Sequence, residues 1–281
     1  MSLIEVNGGR VDVVEVGSGK PLLLLHSLLA DRNVFDRIVP TLSQTRRVIL
    51  PDLPGFGGSS PAGATAQEIA DRIAGLFTVM DLGSETDVLG NGFGGFVASC
   101  LAIRHGARLD RLVLADTGVI FNEEGRASFH AMVARVREFG MAGIVDIAVR
   151  RLFPEAFIAA NPDIAAERRA ALLRMEPTIF AKVCSALADL DLTADVGQIR
   201  NPTLVLVGSQ DAATPPPMAR ELAQMIRQAQ FIELDGLGHA PMVQDPGGFL
   251  RAISAFLETE DVYAETLKRQ SEEWPEASVG R

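Results

Sequence analysis

The sequence predicts an α/β protein: a mostly parallel sheet of eight strands, helices on both faces, and an all-helical insertion. Three observations carry this reading. Strand-length apolar runs alternate with helical patterns along most of the 281 residues, the arrangement that builds parallel sheets from strand–helix–strand units. Several of the runs, such as PLLLLHS at 21–27, are continuously apolar, as a strand covered on both faces must be. One stretch, 121–200, carries no strand-like run.

Taken in order, LIEVN and RVDVVEVG read as a hairpin turning at Asn7-Gly8-Gly9, a tight-turn signature. PLLLLHS is the third strand, a helix is expected near 34–45, and RRVILPD at 46–52 is the fourth strand. TAQEIADRIAGLFTVMDLG repeats its apolar residues every three to four positions and meets a helix-stop glycine at Gly83. TDVLGN is the fifth strand, GFVASCLAIRHG a helix closed by Gly106, and LDRLVLADTG at 109–118 the sixth strand. After the insertion come TLVLVGSQD, a helix at 217–228, QFIELDGLGH, and a helix at 247–258. The expected organisation is therefore a discontinuous core of 1–120 and 201–258, a helical lid at 121–200, and a polar tail at 259–281 that carries Trp274.

The bulk numbers narrow the function. A net charge of −10 without a long Lys/Arg run argues against nucleic acid and anionic membranes, both of which need a basic footprint. The start, MSLIEVNGG, has neither a basic region nor an apolar core, so it does not read as a signal peptide. Cys100 and Cys184 sit in apolar helical patterns and read as buried free thiols, which suits a cytoplasmic protein. No His/Cys/Asp cluster has metal-ligand spacing, and no cofactor is expected. The partner is a small-molecule substrate; the oligomeric state is open.

Chemistry concentrates at VLGNGFGGFVA, residues 88–98. Gly90-Asn91-Gly92-Phe93-Gly94 has the outline of G-x-S-x-G, the turn that presents a catalytic serine, with glycine in the serine's place. Gly90-x-Gly92-x-x-Gly95 also fits the dinucleotide fingerprint, with Asp116 about twenty residues on. That fingerprint belongs in the first strand–helix unit of its domain, however, and several strands precede this one.

Other landmarks favour the first outline. The strand PLLLLHS ends in His26-Ser27, and PDLPGFGGSS follows the next strand. LVGSQDAATPP carries Asp211, and LDGLGHAPMVQDP carries His239. In register, these resemble the oxyanion loop, the D-x-x-G-x-G-x-S loop, the acid turn and the histidine turn of α/β-hydrolases, in that family's chain order of elbow, acid, histidine. The resemblance spans residues 2–258 and is nearest to the lid-bearing group that includes 3-oxoadipate enol-lactonases. It implies the α/β-hydrolase fold and an esterase or lactonase site. His239 would be the base and Asp211 its acid partner, with Asp116 as a rival acid. The backbone N–H groups of Leu28 and Phe93 would be the oxyanion donors. His26 and Ser27 would lie on the substrate side, His26 as a hydrogen-bonding residue of the loop rather than a base.

Gly92 departs from the family, and no substitute is obvious. Ser27 belongs to the opposite loop, Ser99 and Cys100 lie within the following helix, and Asn91 is no ordinary nucleophile. Three accounts stand open. His239 activates a water in the volume the serine would fill; the chain is a non-catalytic binder; or Gly92 is a laboratory replacement. General-base help is worth about 10²–10⁴-fold and an oxyanion hole with binding about 10³–10⁴-fold, enough for an activated ester or lactone and not for an amide. The same histidine acting on an activated carbon would give a lyase or isomerase. In the lid, Arg150, Arg151 and Arg174 are candidates for a substrate carboxylate or for solvated surface charge; His105 and His130 read as a helix-end cation and a lid-helix residue.

Overall fold

β1 (Ser2–Val6) and β2 (Gly9–Val16) form the opening hairpin, with Asn7 and Gly8 at positive φ, 47° and 78°, in the tight turn. The computed structural model describes residues 2–227 and 229–258; the expected tail at 259–281, with Trp274, lies outside them. β3 (Lys20–Leu25), β4 (Arg46–Pro51), β5 (Asp87–Asn91), β6 (Leu112–Ala115), β7 (Thr203–Gly208) and β8 (Gln230–Leu234) complete one sheet. Its order is β1-β2-β4-β3-β5-β6-β7-β8, with β1 and β2 antiparallel and β3 to β8 mutually parallel. All eight expected strands are present. The residues of β3, β5, β6 and β7 are buried almost throughout because helices cover both faces.

The helices are α1 (Val39–Leu42), α2 (Ala66–Val79), α3 (Phe93–His105), α4 (Glu123–Phe139), α5 (Val145–Leu152), α6 (Glu155–Ala160), α7 (Pro162–Leu173), α8 (Pro177–Ala188), α9 (Pro216–Met225), α10 (Pro241–Gln244) and α11 (Pro246–Leu257). Two expectations are corrected. The single helix near 34–45 is instead a 3₁₀ turn at Arg32–Phe35 followed by the short α1, because Pro40 lacks the N–H a continuous helix needs. α2 stops at Val79, before Gly83, where the backbone reverses through Asp81 at φ 51°.

Residues 121–200 hold α4 to α8 and, among the described residues, no strand beyond an isolated bridge between Ile120 and Asp191. This insertion is tied to the core by ion pairs as well as apolar contacts. Asp31, just after the β3 loop, pairs with Arg168 and Arg174 of the insertion at 3.3 Å each, and Arg168 also pairs with Glu167.

Register aligns the carboxyl ends of the central strands: Leu25 stands opposite Gly90, Asn91 opposite Ala115, and Ala115 opposite Leu206. The chain leaves β3 towards β4 on one side and β5 on the other, so a crevice opens between the ends of β3 and β5, the usual ligand position in open parallel sheets. Here β5, α3 and the end of β3 touch backbone to backbone. A Cβ on Gly90 would lie 2.2 Å from the Gly94 carbonyl oxygen, and one on Gly94 would lie 2.1 Å from the Leu25 carbonyl oxygen. Backbone atoms in a packed core cannot yield as a side chain can. Gly94→Ala should therefore cost about 3 kcal/mol or more, read as a lowered thermal midpoint or failure to accumulate as folded protein. A variant as stable as the parent would contradict this close approach.

Candidate active site

Five loops at the carboxyl ends of β3, β5, β6, β7 and β8 bring the candidate residues together. At the turn from β5 to α3, Gly92 adopts φ 56° and ψ −119°, a conformation that costs a residue with a Cβ about 1–3 kcal/mol. Its N–H donates to the Ala115 carbonyl (2.9 Å), and its carbonyl accepts from Gly95 and Phe96. The turn is thus held from both sides although nothing projects from it.

His239, buried to 3% exposure, faces that turn. Its Nδ1–H donates to Asp211 Oδ2 at 2.9 Å, which leaves Nε2 as the lone-pair nitrogen. Asp211 Oδ1 accepts from the backbone N–H groups of Ala213 (2.7 Å) and Thr214 (3.0 Å), so the residue is an Asx-type turn and a histidine partner at once. The Thr214 hydroxyl lies 2.7 Å from both Asp211 Oδ2 and the Asp116 carbonyl oxygen, and 3.2 Å from His239 Nδ1. Its single hydrogen serves one acceptor at a time. Sequence reasoning missed Thr214; a hydroxyl three residues after the acid, at the end of its turn, was the available signal.

The rival acid stands behind this pair and does not touch the imidazole. Asp116 Oδ1 accepts from the Gly208 N–H (2.9 Å), and Oδ2 accepts from the Asn91 amide (3.2 Å). Burial, reinforced by the charge of Asp211, lifts its carboxyl well above the usual carboxylate range, so the neutral acid is the favoured form. Its backbone is at φ 52°. The Asn91 amide also donates to the His239 carbonyl (3.0 Å), which ties the histidine loop to the elbow.

His26 does not line the pocket, which corrects its placement on the substrate side. Its Nδ1–H donates to the Ser27 carbonyl (3.0 Å), and its Nε2 accepts from the Leu53 N–H (3.0 Å). Burial lowers its pKa, so the ring is a neutral brace between the β3 loop and the loop after β4. Ser27 does line the pocket. Its Oγ lies 3.2 Å from His239 Nε2, although its loop reads in sequence as the far side of the site. A Cβ built on Gly92 would lie 2.5 Å from Ser27 Oγ and 2.5 Å from His239 Nε2. The volume that an elbow side chain would enter, where an activated water was expected, is bounded by a hydroxyl and an imidazole edge that already meet.

Most of the remaining lining is apolar: Leu28, Leu29, Phe93, Phe96 and Ala213 from the core side, and Phe121, Phe129 and Leu187 from the insertion, around a narrow cavity of about 20 Å³. Among the described residues, neither the Leu28 nor the Phe93 N–H donates to a backbone carbonyl. Phe93 opens α3, where the first N–H groups of a helix have no intrahelical partner. Arg151 also reaches the pocket, its Nη1 donating to Ser128 Oγ (2.7 Å) and its guanidinium lying 5.4 Å from the Phe129 ring. Arg174 instead pairs with Asp31, and His130 stands 4.0 Å from Asp189 on an exposed helix face. His105 pairs with Asp71 at 2.7 Å.

Other nucleophiles are out of reach. Ser99 donates to the Gly95 carbonyl within α3 (2.9 Å), and burial pushes both Cys100 and Cys184 up to about 12. Among the described residues, no group of three His, Cys, Asp or Glu could hold a metal ion, and no helix is long and apolar enough to cross a membrane.

Known proteins match this architecture. A family model described as the alpha/beta hydrolase family covers residues 22–252. A 2-hydroxy-6-oxo-2,4-heptadienoate hydrolase of Pseudomonas putida is 30% identical, over 92% of this chain and 96% of its own. Two solved structures superpose closely. One is a thermophilic esterase from Thermogutta terrifontis (TM-score 0.84, 30% identity, 92% of this chain and 98% of that one). The other is an enol-lactonase from Burkholderia xenovorans (TM-score 0.85, 27% identity, 91% and 99%). These matches displace the dinucleotide reading of the glycine knot, whose acidic position, Asp116, is fully buried: the chain belongs to the alpha/beta hydrolase family.

Proposed function

We propose that the protein hydrolyses a small ester or lactone, with His239 as general base and Asp211 fixing its tautomer. One observation carries the reading: the buried Nδ1–Oδ2 contact of 2.9 Å leaves Nε2 directed at the pocket edge beside Ser27, where an aligned base is worth about 10²–10⁴-fold. The apolar lining suits a short aliphatic or aromatic acyl group. The free N–H groups of Leu28 and Phe93 suit the oxygen that becomes negative during attack. Relatives named as an esterase and an enol-lactonase support the reaction class. The insertion acts as the lid, since Phe129, Arg151 and Leu187 close the pocket above the elbow.

The elbow contributes no hydroxyl, so His239 takes its proton either from a water entering with the substrate or from another side chain. The competing reading, a non-catalytic small-molecule binder, rests on Gly92 alone.

Hydrolysis of short aryl esters by the wild type is the expected result, measured as initial rates. His239→Ala should abolish it and Asp211→Asn should lower kcat/KM by about 10²–10⁴-fold, because an amide no longer holds the needed tautomer. Asp116→Asn, which leaves the partner of His239 in place, should stay within about tenfold of wild type. Turnover unaffected by His239→Ala would remove the proposed base.

Arg151 sets an expectation for the substrate. Its Nε is buried without a hydrogen-bond partner among the described residues, and an unsatisfied buried donor is costly. A substrate carboxylate or carbonyl oxygen reaching it would relieve that cost. Arg151→Met should reduce kcat/KM for an ester carrying a free carboxylate by about 10–100-fold, and for its neutral methyl ester by less than about threefold. Equal losses on both would show that Arg151 only shapes the lid.

A further inference from the structure

We infer that the nucleophile has moved across the site: Ser27, on the loop after β3, takes the place of the absent elbow serine. The inference rests on the hydrolytic reading above and adds the atom that attacks. Three observations carry it. First, the contacts form an unbroken chain: Ser27 Oγ to His239 Nε2 at 3.2 Å, and His239 Nδ1 to Asp211 Oδ2 at 2.9 Å. Because Nδ1 carries the proton given to Asp211, Nε2 is an acceptor and the Ser27 hydroxyl is the donor, the polarity a nucleophile–base pair requires. Second, the vacancy at Gly92 is what admits Ser27: an elbow side chain would place its Cβ 2.5 Å from both Ser27 Oγ and His239 Nε2. Third, Ser27 lines the pocket and is held there. The His26 Nδ1–H donates to its carbonyl, which also accepts from the Ala30 N–H at 3.2 Å.

The step balances without a co-reactant other than water. Ser27 Oγ bonds to the substrate carbonyl carbon while its proton passes to His239 Nε2. The carbonyl oxygen becomes an oxyanion beside the N–H groups of Leu28 and Phe93. The tetrahedral intermediate collapses, the carbon–oxygen bond to the leaving alcohol breaks, and His239 returns the proton to that alcohol. Water then attacks the acyl-Ser27 ester by the same route, releasing the acid and restoring the serine. The two sides of the hole exchange parts: Leu28 now follows the nucleophile in sequence, and Phe93 opens the helix across from it.

The test is covalent. Wild type is incubated with paraoxon, a diethyl aryl phosphate, then digested and mapped by mass spectrometry, alongside aryl-ester turnover by wild type and Ser27→Ala. A diethyl phosphate adduct on Ser27 is expected, absent from Ser27→Ala and formed at least about 100-fold more slowly in His239→Ala. Ser27→Ala should also lose at least about 100-fold in kcat/KM, with an unchanged thermal midpoint. A purely structural serine would give no adduct, and labelling of wild type does not depend on how the variant folds. An adduct at any other residue overturns the assignment. So does turnover that persists in Ser27→Ala with no adduct in wild type; that result leaves His239 acting on water and the hydrolytic reading intact. Neither turnover nor labelling in wild type overturns both.

Discussion

The backbone reversal at Gly92, between β5 and α3, is the constraint on which the site depends. It holds φ 56° while β5, α3 and the end of β3 approach so closely that Gly90 and Gly94 have no room for a Cβ. This fixes where the first N–H of α3 points and how near the β3 loop comes to the histidine loop. In the family's usual arrangement the reversal also presents a side chain. Here it presents none, and the strain that a Cβ would store, about 1–3 kcal/mol, is absent. The scaffold keeps its shape, and the space in front of His239 Nε2 is taken by a hydroxyl from the facing loop.

Electrostatics behind the histidine are divided between two acids. Asp211 receives two backbone hydrogen bonds besides that of the imidazole, from the Ala213 and Thr214 N–H groups, and the Thr214 hydroxyl lies 2.7 Å from its Oδ2. Asp116 is deeper, and burial together with Asp211 favours its neutral form. The inner acid braces Asn91 and the start of the β7 turn. His26, neutral by burial, braces the opposite loop. The candidate site residues are thus held by polar neighbours, Asn91 through its amide N–H and His26 through both ring nitrogens, the kind of support that keeps a site within fractions of an ångström.

Much of this was legible in the sequence. Continuous apolar runs located the central strands β3, β5, β6 and β7, because both faces of a parallel sheet are covered, and a tight-turn signature located the opening hairpin. Asp211 and His239 were legible through the resemblance of their turns to the family's acid and histidine turns. Helix ends were less legible: the stop of α2 was set by the backbone at Asp81 rather than by Gly83, and the segment near 34–45 broke between Phe35 and Val39, ahead of Pro40. His26 looked like a pocket residue because its neighbour is one, but alternate residues leaving a strand point to opposite sides. The meeting of Ser27 and His239, 212 positions apart, left no trace in local pattern. It depends on the register of β3 against β5 and on the absence of one side chain, neither of which periodicity reports.

The most direct measurement exchanges the two positions. Ser27→Ala removes the hydroxyl from the β3 loop; adding Gly92→Ser in the same chain returns it to the elbow, where Ser27 Oγ no longer crowds the new Cβ. The comparison is aryl-ester kcat/KM of the single and double variants with the paraoxon adduct mapped in each. If His239 and Asp211 form a competent base that needs only a hydroxyl in front of Nε2, the double variant regains at least about tenfold over Ser27→Ala, with the adduct now on the residue at position 92. A folded double variant that neither turns over nor labels would mean that His239 is not poised for catalysis, contradicting the account at its centre.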